Sequence, residues 1–342
     1  MATHALALPV SEALHIPSPS INGFHLGPLF IHFYAVMYLI GIAVAIIMTR
    51  RRWAAAGGDP ELIYDVAMWS VPAGIIGGRI YFDITTPSDI PHVWYGVLAV
   101  WSGGLGIWGA IPVAAAVGIW RTRRAGGNVP VIMDAVAPAL LVAQGIGRIG
   151  NYFNKELFGG PTSLPWGLHI PLAYRPAGYT AFAYFQPTFL YELIWDVLLA
   201  LALIWLGHHR RIFAPGLFAL YVTGYSAFRI FEESLRVDSS EHFLGLRLNM
   251  YVACVLTVAG GTWFAAIQRH GRRAVAAGRP YPELAAGGAQ PSRVGATDAD
   301  GAVTEAIVPP GPEQAVGAET PPAVADSAGS ASTAAGSEEA GR

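Results

Sequence analysis

Apolar runs of about 20 residues alternate along this chain with short arginine clusters, and that alternation leaves it few ways to fold. A helix rises 1.5 Å per residue, so about 20 apolar residues cross the hydrocarbon core of a bilayer. Seven such runs occur, at 29–48, 62–82, 97–120, 131–149, 187–206, 213–231 and 250–267. Short loops rich in Lys and Arg stay on the cytoplasmic side. Here Arg50, Arg51 and Arg52 follow the first run, Arg121, Arg123 and Arg124 the third, Arg210 and Arg211 the fifth, and Arg269, Arg272 and Arg273 the seventh. Basic residues at every second connection require an odd number of spans with the N-terminus outside. The expected fold is therefore all-α, a polytopic integral membrane protein of seven helices with a cytoplasmic C-terminus.

Composition agrees with this and removes other classes. Only 13% of the 342 residues are charged, against about 25% in an average soluble domain, and the mean hydropathy is +0.43. A formal net charge of -2 offers no basic field for nucleic acid. The single cysteine, Cys254, cannot form an internal disulfide and lies mid-span, where it acts as a small hydrophobe. No paired Cys/His spacing suggests a metal, and no cofactor is expected. Residues 1–27 read as a short leader outside the membrane, 28–270 as the membrane domain and 271–342, rich in Ala, Gly, Pro, Ser and acidic residues, as a disordered cytoplasmic tail. The connection 150–186 carries Trp166, Tyr174, Tyr179 and Tyr184 and reads as an outer, interfacial segment.

With that topology the polar residues gather at the outer helix ends. Tyr34, Arg79, Arg148, Asn151, Gln186, Glu192, Arg229, Glu233 and Arg236 all fall there. A charge at the bilayer centre costs about 2.5 to 3.5 kcal/mol on insertion scales, so such groups usually face a polar interior and carry function. Arg229, Glu233 and Arg236, at i, i+4 and i+7, share a helix face, as a ligand site or a structural ion-pair ladder would require. In GIGRIGNYFNKELFGG the fourth span is expected to break into Asn151, Asn154 and Glu156, setting Arg148 beside glycine backbone suited to phosphate. Packing of small residues between helices is the competing reading of those glycines. Glu192 and Asp196 at i, i+4 form a weaker proton-relay pattern. The WSGGLG stretch at 101–106 lacks the Lys-Ser/Thr that a nucleotide loop needs.

The order of motifs, HFYAVMYLIG, GGRIYFD, WSGGLGIWG, GRIGNYFNKELFG, QPTFLYE and FRIFEESLRVD, resembles the bacterial prolipoprotein diacylglyceryl transferases in an actinobacterial-like variant. The resemblance implies a monomeric enzyme of the bacterial cell membrane, its active site toward the outer leaflet. Such an enzyme moves the diacylglyceryl group of phosphatidylglycerol to the lipobox cysteine thiol in the signal peptide of a prolipoprotein. It further implies that Arg148 and Arg229 hold the lipid phosphate, that Asn151 and Glu156 complete the pocket, that Tyr34 lines it and that Glu233 pairs with an arginine. Arg79 and Arg236 become supporting cations, and Asn154, Gly104, Gln186, Tyr191 and Glu192 join the substrate pocket. Many members carry histidine where this chain has Trp108, and a His-Pro pair where it has Gln186-Pro187, so the usual base is missing. A free thiol with a pKa near 8.5 costs only about 2 kcal/mol to ionise at pH 7, which leaving-group stabilisation by two arginines can offset. Glu156 and Glu233 remain secondary bases. A transporter of lipid or small molecules using the same arginines is the alternative, and would place polar groups at several depths.

Overall fold

In the computed structural model the described residues are 15–238, 242, 243 and 245–282. They belong to one compact unit, Met1–Ser292, and the second unit, Arg293–Arg342, lies outside them together with most of the expected tail. The chain runs β1 (Gly23–Leu26), β2 (Leu29–His32), α1 (Phe33–Ala55), α2 (Glu61–Thr85), α3 (Ile107–Arg124) and α4 (Val129–Asn154). It continues through β3 (Leu168–His169), β4 (Tyr184–Phe185), α5 (Thr188–His209), α6 (Gly216–Leu235), β5 (His242–Phe243), β6 (Leu246–Arg247) and α7 (Leu248–Ala276). Each apolar run thus contains a long helix. Four of them, α1, α4, α5 and α7, are long and apolar enough to cross a membrane.

Several boundaries differ from the sequence expectation for identifiable reasons. The first run opens as a strand, because Leu29 to His32 pair antiparallel with Gly23 to Leu26 around Gly27 at φ 62°. The presumed leader is therefore partly folded, and Ile16 pairs with Leu168. The third run spends its first residues in short 3-10 turns, with Gly103 at φ 86° and Gly104 at φ 78°, so α3 starts only at Ile107. The fourth helix does not break at Asn151 but continues to Asn154, and α7 extends past 270 to Ala276. The connection after α4 does more than lie at an interface. Phe158, Leu168, Ile170 and Phe185 bury one another in a small core of their own, and β3 pairs with β4.

Burial runs opposite to a soluble protein. Leu39, Met68, Ile84 and Val258 are exposed, while Asp134, Asp196, Glu192, Glu232 and Glu233 are almost wholly buried. Lipid-facing helices place apolar residues outward and collect polar ones between them. Close approach then depends on small residues. A Cβ on Gly109 of α3 would meet the Gly77 carbonyl oxygen of α2 at 2.2 Å. Gly109→Leu should therefore separate α2 from α3, and thermal unfolding of the detergent-solubilised protein should show a loss of stability on the order of 2 kcal/mol or more.

Packing gives the bundle two distinct ends. At one, Trp53, Leu62, Val131 and Ala214 cluster, the Arg52 guanidinium donates to the Ala135 carbonyl at 3.1 Å, and the Asp134 carboxylate accepts the Phe218 amide at the start of α6 at 2.9 Å. There the Gln268 amide also reaches the Phe213 carbonyl. The ends of α1 and α7, the starts of α4 and α6, and hence their arginine clusters, share this end. The start of α1 meets the end of α4 at the other, where Tyr34 packs on Gly150; the start of α5 and the end of α6 join them through ion pairs.

Candidate active site

At that second end α4, α5 and α6 converge on Glu192. Its side chain is 0% exposed, whereas those of Arg148 and Arg229 are 18% and 17% exposed. A molecule entering therefore meets guanidinium first and carboxylate behind it. Arg148 Nη2 lies 2.7 Å from Glu192 Oε1, and Arg229 Nη1 lies 3.5 Å from Oε2. The Tyr225 hydroxyl donates to Glu192 at 3.0 Å and accepts from Arg148 at 3.4 Å. Tyr221, Tyr225 and Arg229 follow at intervals of four on α6, a spacing in the sequence that could have pointed to Tyr225.

Arg229 continues the network, pairing with Glu232 at 2.5 Å and with Glu233. Glu233 also takes Arg236 at 3.4 Å and Arg247 at 2.7 Å, and both of these arginines pair with Asp238. Burial alone would raise the Asp238 carboxyl, but hydrogen bonds and charge from Arg236 and Arg247 hold it below the usual carboxylate range. The expected pairing of Glu233 with an arginine is present three times over, and Arg236 sits just past the end of α6, with extended backbone, rather than on its face. Glu232 and Arg247 were missed: the first is adjacent to the more conspicuous Glu233, and the second enters only across the β5–β6 hairpin.

Beside Arg148, Asn151 accepts from its guanidinium at 3.3 Å and donates to Glu156 at 2.9 Å. Asn154 donates to the same Glu156 oxygen at 3.1 Å. Both asparagines lie on the last turn of α4, so the backbone amides imagined for phosphate are committed to the helix. Gly150 belongs to packing: a Cβ there would fall 2.8 Å from the Tyr34 ring. Lys155 and Leu157 flank Glu156 at φ 56° and 58°, left-handed backbone that costs a side-chain-bearing residue of order 1 kcal/mol or more and gathers at functional sites. This reversal leaves Glu156 exposed beside the arginines.

The remaining expected residues form other groups. Arg79 is buried and spends its N–H groups on loop carbonyls of Gly96, Val97, Ala99, Gly103 and Gly104, with Asp83 at 3.0 Å. It fastens the loop before α3. Gly104 is needed there because a Cβ would strike the Phe82 ring at 2.5 Å. Gln186 accepts from the Tyr191 hydroxyl at 2.7 Å, which in turn accepts from Trp166 at 2.9 Å. Tyr34 donates to Tyr38 at 3.0 Å. Trp108 is half exposed on the first turn of α3.

Polar residues also reach deeper than expected. One turn below the arginines, Gln144 donates to the Tyr221 hydroxyl at 3.1 Å, and the fully buried Asp196 faces Gly145. Depth alone therefore does not separate an enzyme from a transporter.

Long apolar helices enclosing a buried arginine–carboxylate network, with two guanidiniums partly open, are those of a helical membrane protein. The chain belongs to the prolipoprotein diacylglyceryl transferase family, whose profile matches residues 22–266. Among its relatives, the phosphatidylglycerol–prolipoprotein diacylglyceryl transferase of Cutibacterium acnes is 47% identical over 76% of this chain and 89% of its own. That of Bifidobacterium adolescentis is 41% identical over 75% and 81%. The Streptomyces coelicolor protein of the same name, numbered 2, is 43% identical over 76% and 82%.

Proposed function

We propose that this chain transfers the sn-1,2-diacylglyceryl group of phosphatidylglycerol to the cysteine thiol of a prolipoprotein lipobox, releasing glycerol phosphate. Family membership supports the reaction, and the convergence of Arg148 and Arg229 on one buried carboxylate carries the mechanism. The phosphodiester docks at the open sides of the two guanidiniums, with Glu192 and Glu232 behind them, and their forked donors match its oxygens. The cysteine sulfur attacks the glyceryl C3 carbon, the C–O bond to phosphate breaks, and the electron pair passes to a phosphate oxygen held by the arginines. Charge grows on that oxygen, so the clamp binds the transition state more tightly than the lipid. Glu156 takes the thiol proton: it is exposed beside the clamp, while Glu233 is held by three arginines. Asn151 and Asn154 orient it.

In this reading all seven helices span the bacterial cell membrane, with the N-terminus outside and the network toward the outer leaflet. A single chain, its catalytic domain within 28–270, meets both substrates, and the C-terminal segment lies on the cytoplasmic side. No cofactor or metal enters the reaction.

Purified protein in detergent, given phosphatidylglycerol labelled in its acyl chains and a lipobox peptide, should label the peptide, and a Cys-to-Ser peptide should stay unlabelled. Absence of label with folded protein overturns the proposal. Glu156→Gln should lower turnover about a hundredfold near neutral pH and recover as pH rises and free thiolate increases. A uniform loss at every pH would remove Glu156 as the base.

A further inference from the structure

The arginine that opens toward the lipid does not hold its own position, and the groups that hold it lie beyond α6. Glu233, 0% exposed, pairs with Arg229 through Oε1 and is taken at its other oxygen, Oε2, by Arg247 Nε at 2.7 Å. Arg247 is itself fixed at three points, because Nη1 donates to the Asp238 carbonyl at 2.9 Å and Nη2 to the Asp238 carboxylate at 3.1 Å. Asp238 is in turn gripped by Arg236 through Nε at 2.7 Å and Nη2 at 2.8 Å. Arg247 is buried, closes the β5–β6 hairpin and immediately precedes α7. It thereby ties the end of α6 to the start of α7 across a chain separation of fourteen residues from Glu233.

We propose that Arg247 is a positioning residue for transfer: it locks Glu233, and Glu233 sets the Arg229 guanidinium at the angle that receives the lipid phosphate. The proposal rests on Arg229 being half of the phosphate clamp. Arg247 itself faces Asp238 and Glu233, so it touches no substrate. A guanidinium is required because its three nitrogens address two residues in fixed directions, a fork that the compact ammonium of lysine does not reproduce. Misplacing Arg229 weakens the hold on the departing phosphate more than on the bound lipid, since negative charge builds up only as the C–O bond breaks.

The test is a double-variant cycle on the purified full chain, with folding checked by thermal unfolding and by gel filtration. Arg247→Lys should lower kcat about tenfold with KM for phosphatidylglycerol changed less than about threefold. Arg247→Met should lower kcat further. Combining Arg247→Lys with Arg229→Lys should cost little beyond Arg229→Lys alone, because both act on one guanidinium. Multiplying losses would mean that Arg247 serves only the hairpin and would overturn the proposal, as would full activity of folded Arg247→Lys. Full activity of Arg229→Lys would instead remove the clamp itself. If Arg229→Lys is impaired while Arg247→Lys is not, the clamp stands and the positioning role fails.

Discussion

Replacing Arg148 with alanine should lower the transfer rate about a thousandfold or more, and the same should hold for Arg229→Ala. A thousandfold corresponds to about 4 kcal/mol of lost transition-state stabilisation at 1.36 kcal/mol per factor of ten. That is the scale expected when a donor aimed at developing negative charge is removed from a water-poor site. The lysine variants separate charge from geometry. Arg148 addresses Glu192, Asn151 and Tyr225 from two terminal nitrogens, which one ammonium cannot reproduce. Arg148→Lys should therefore keep the fold and still lose about a hundredfold. Initial rates of label transfer to the lipobox peptide, at several lipid concentrations, measure this directly. A folded Arg148→Lys or Arg229→Lys protein with the full rate would mean that leaving-group electrostatics do not drive the reaction.

Glu192→Leu should be the most destabilising single change at the site. Glu192 is fully buried and joins α5 to both α4 and α6 through Arg148 and Arg229. Removing one member of a buried ion pair strands the other and costs about 3 to 5 kcal/mol. Here two guanidiniums lose a partner together. Arg229 keeps Glu232 and Glu233, so Arg148 bears most of the penalty. Thermal unfolding in detergent should show a fall in Tm on the order of 10 °C, with Glu192→Gln intermediate because it still accepts from Tyr225. An unchanged Tm for Glu192→Leu would show that the network does not hold these helices together, and that its carboxylates serve some other purpose.

The four carboxylates Glu192, Glu232, Glu233 and Asp238 meet the four arginines Arg148, Arg229, Arg236 and Arg247. A balanced set of this kind keeps guanidiniums extended and aimed in a protein interior without leaving them bare.

The sequence by itself determined the helices and the separation of their ends. Apolar runs near bilayer length, together with arginines at alternate intervals, are local properties of the chain; in the fold the clusters around Arg52, Arg124 and Arg272 lie within the C-terminal parts of α1, α3 and α7, and only Arg210 and Arg211 follow their helix, α5. Arg148 and Arg229 stood out as candidates too, because charged side chains inside such runs are rare. Tertiary structure alone decided their partners. Whether Arg79 faces the lipid phosphate or the carbonyls of the loop before α3 depends on how that loop folds back, as 3-10 turns through Gly103 and Gly104. The pairing of Arg148 with Glu192, and of Arg247 with Glu233, depends on the rotation and depth at which separate helices pack. Local hydropathy marks where a long helix lies, but an ion pair between helices reaches only about 4 Å and so reports their packing, which no single segment encodes.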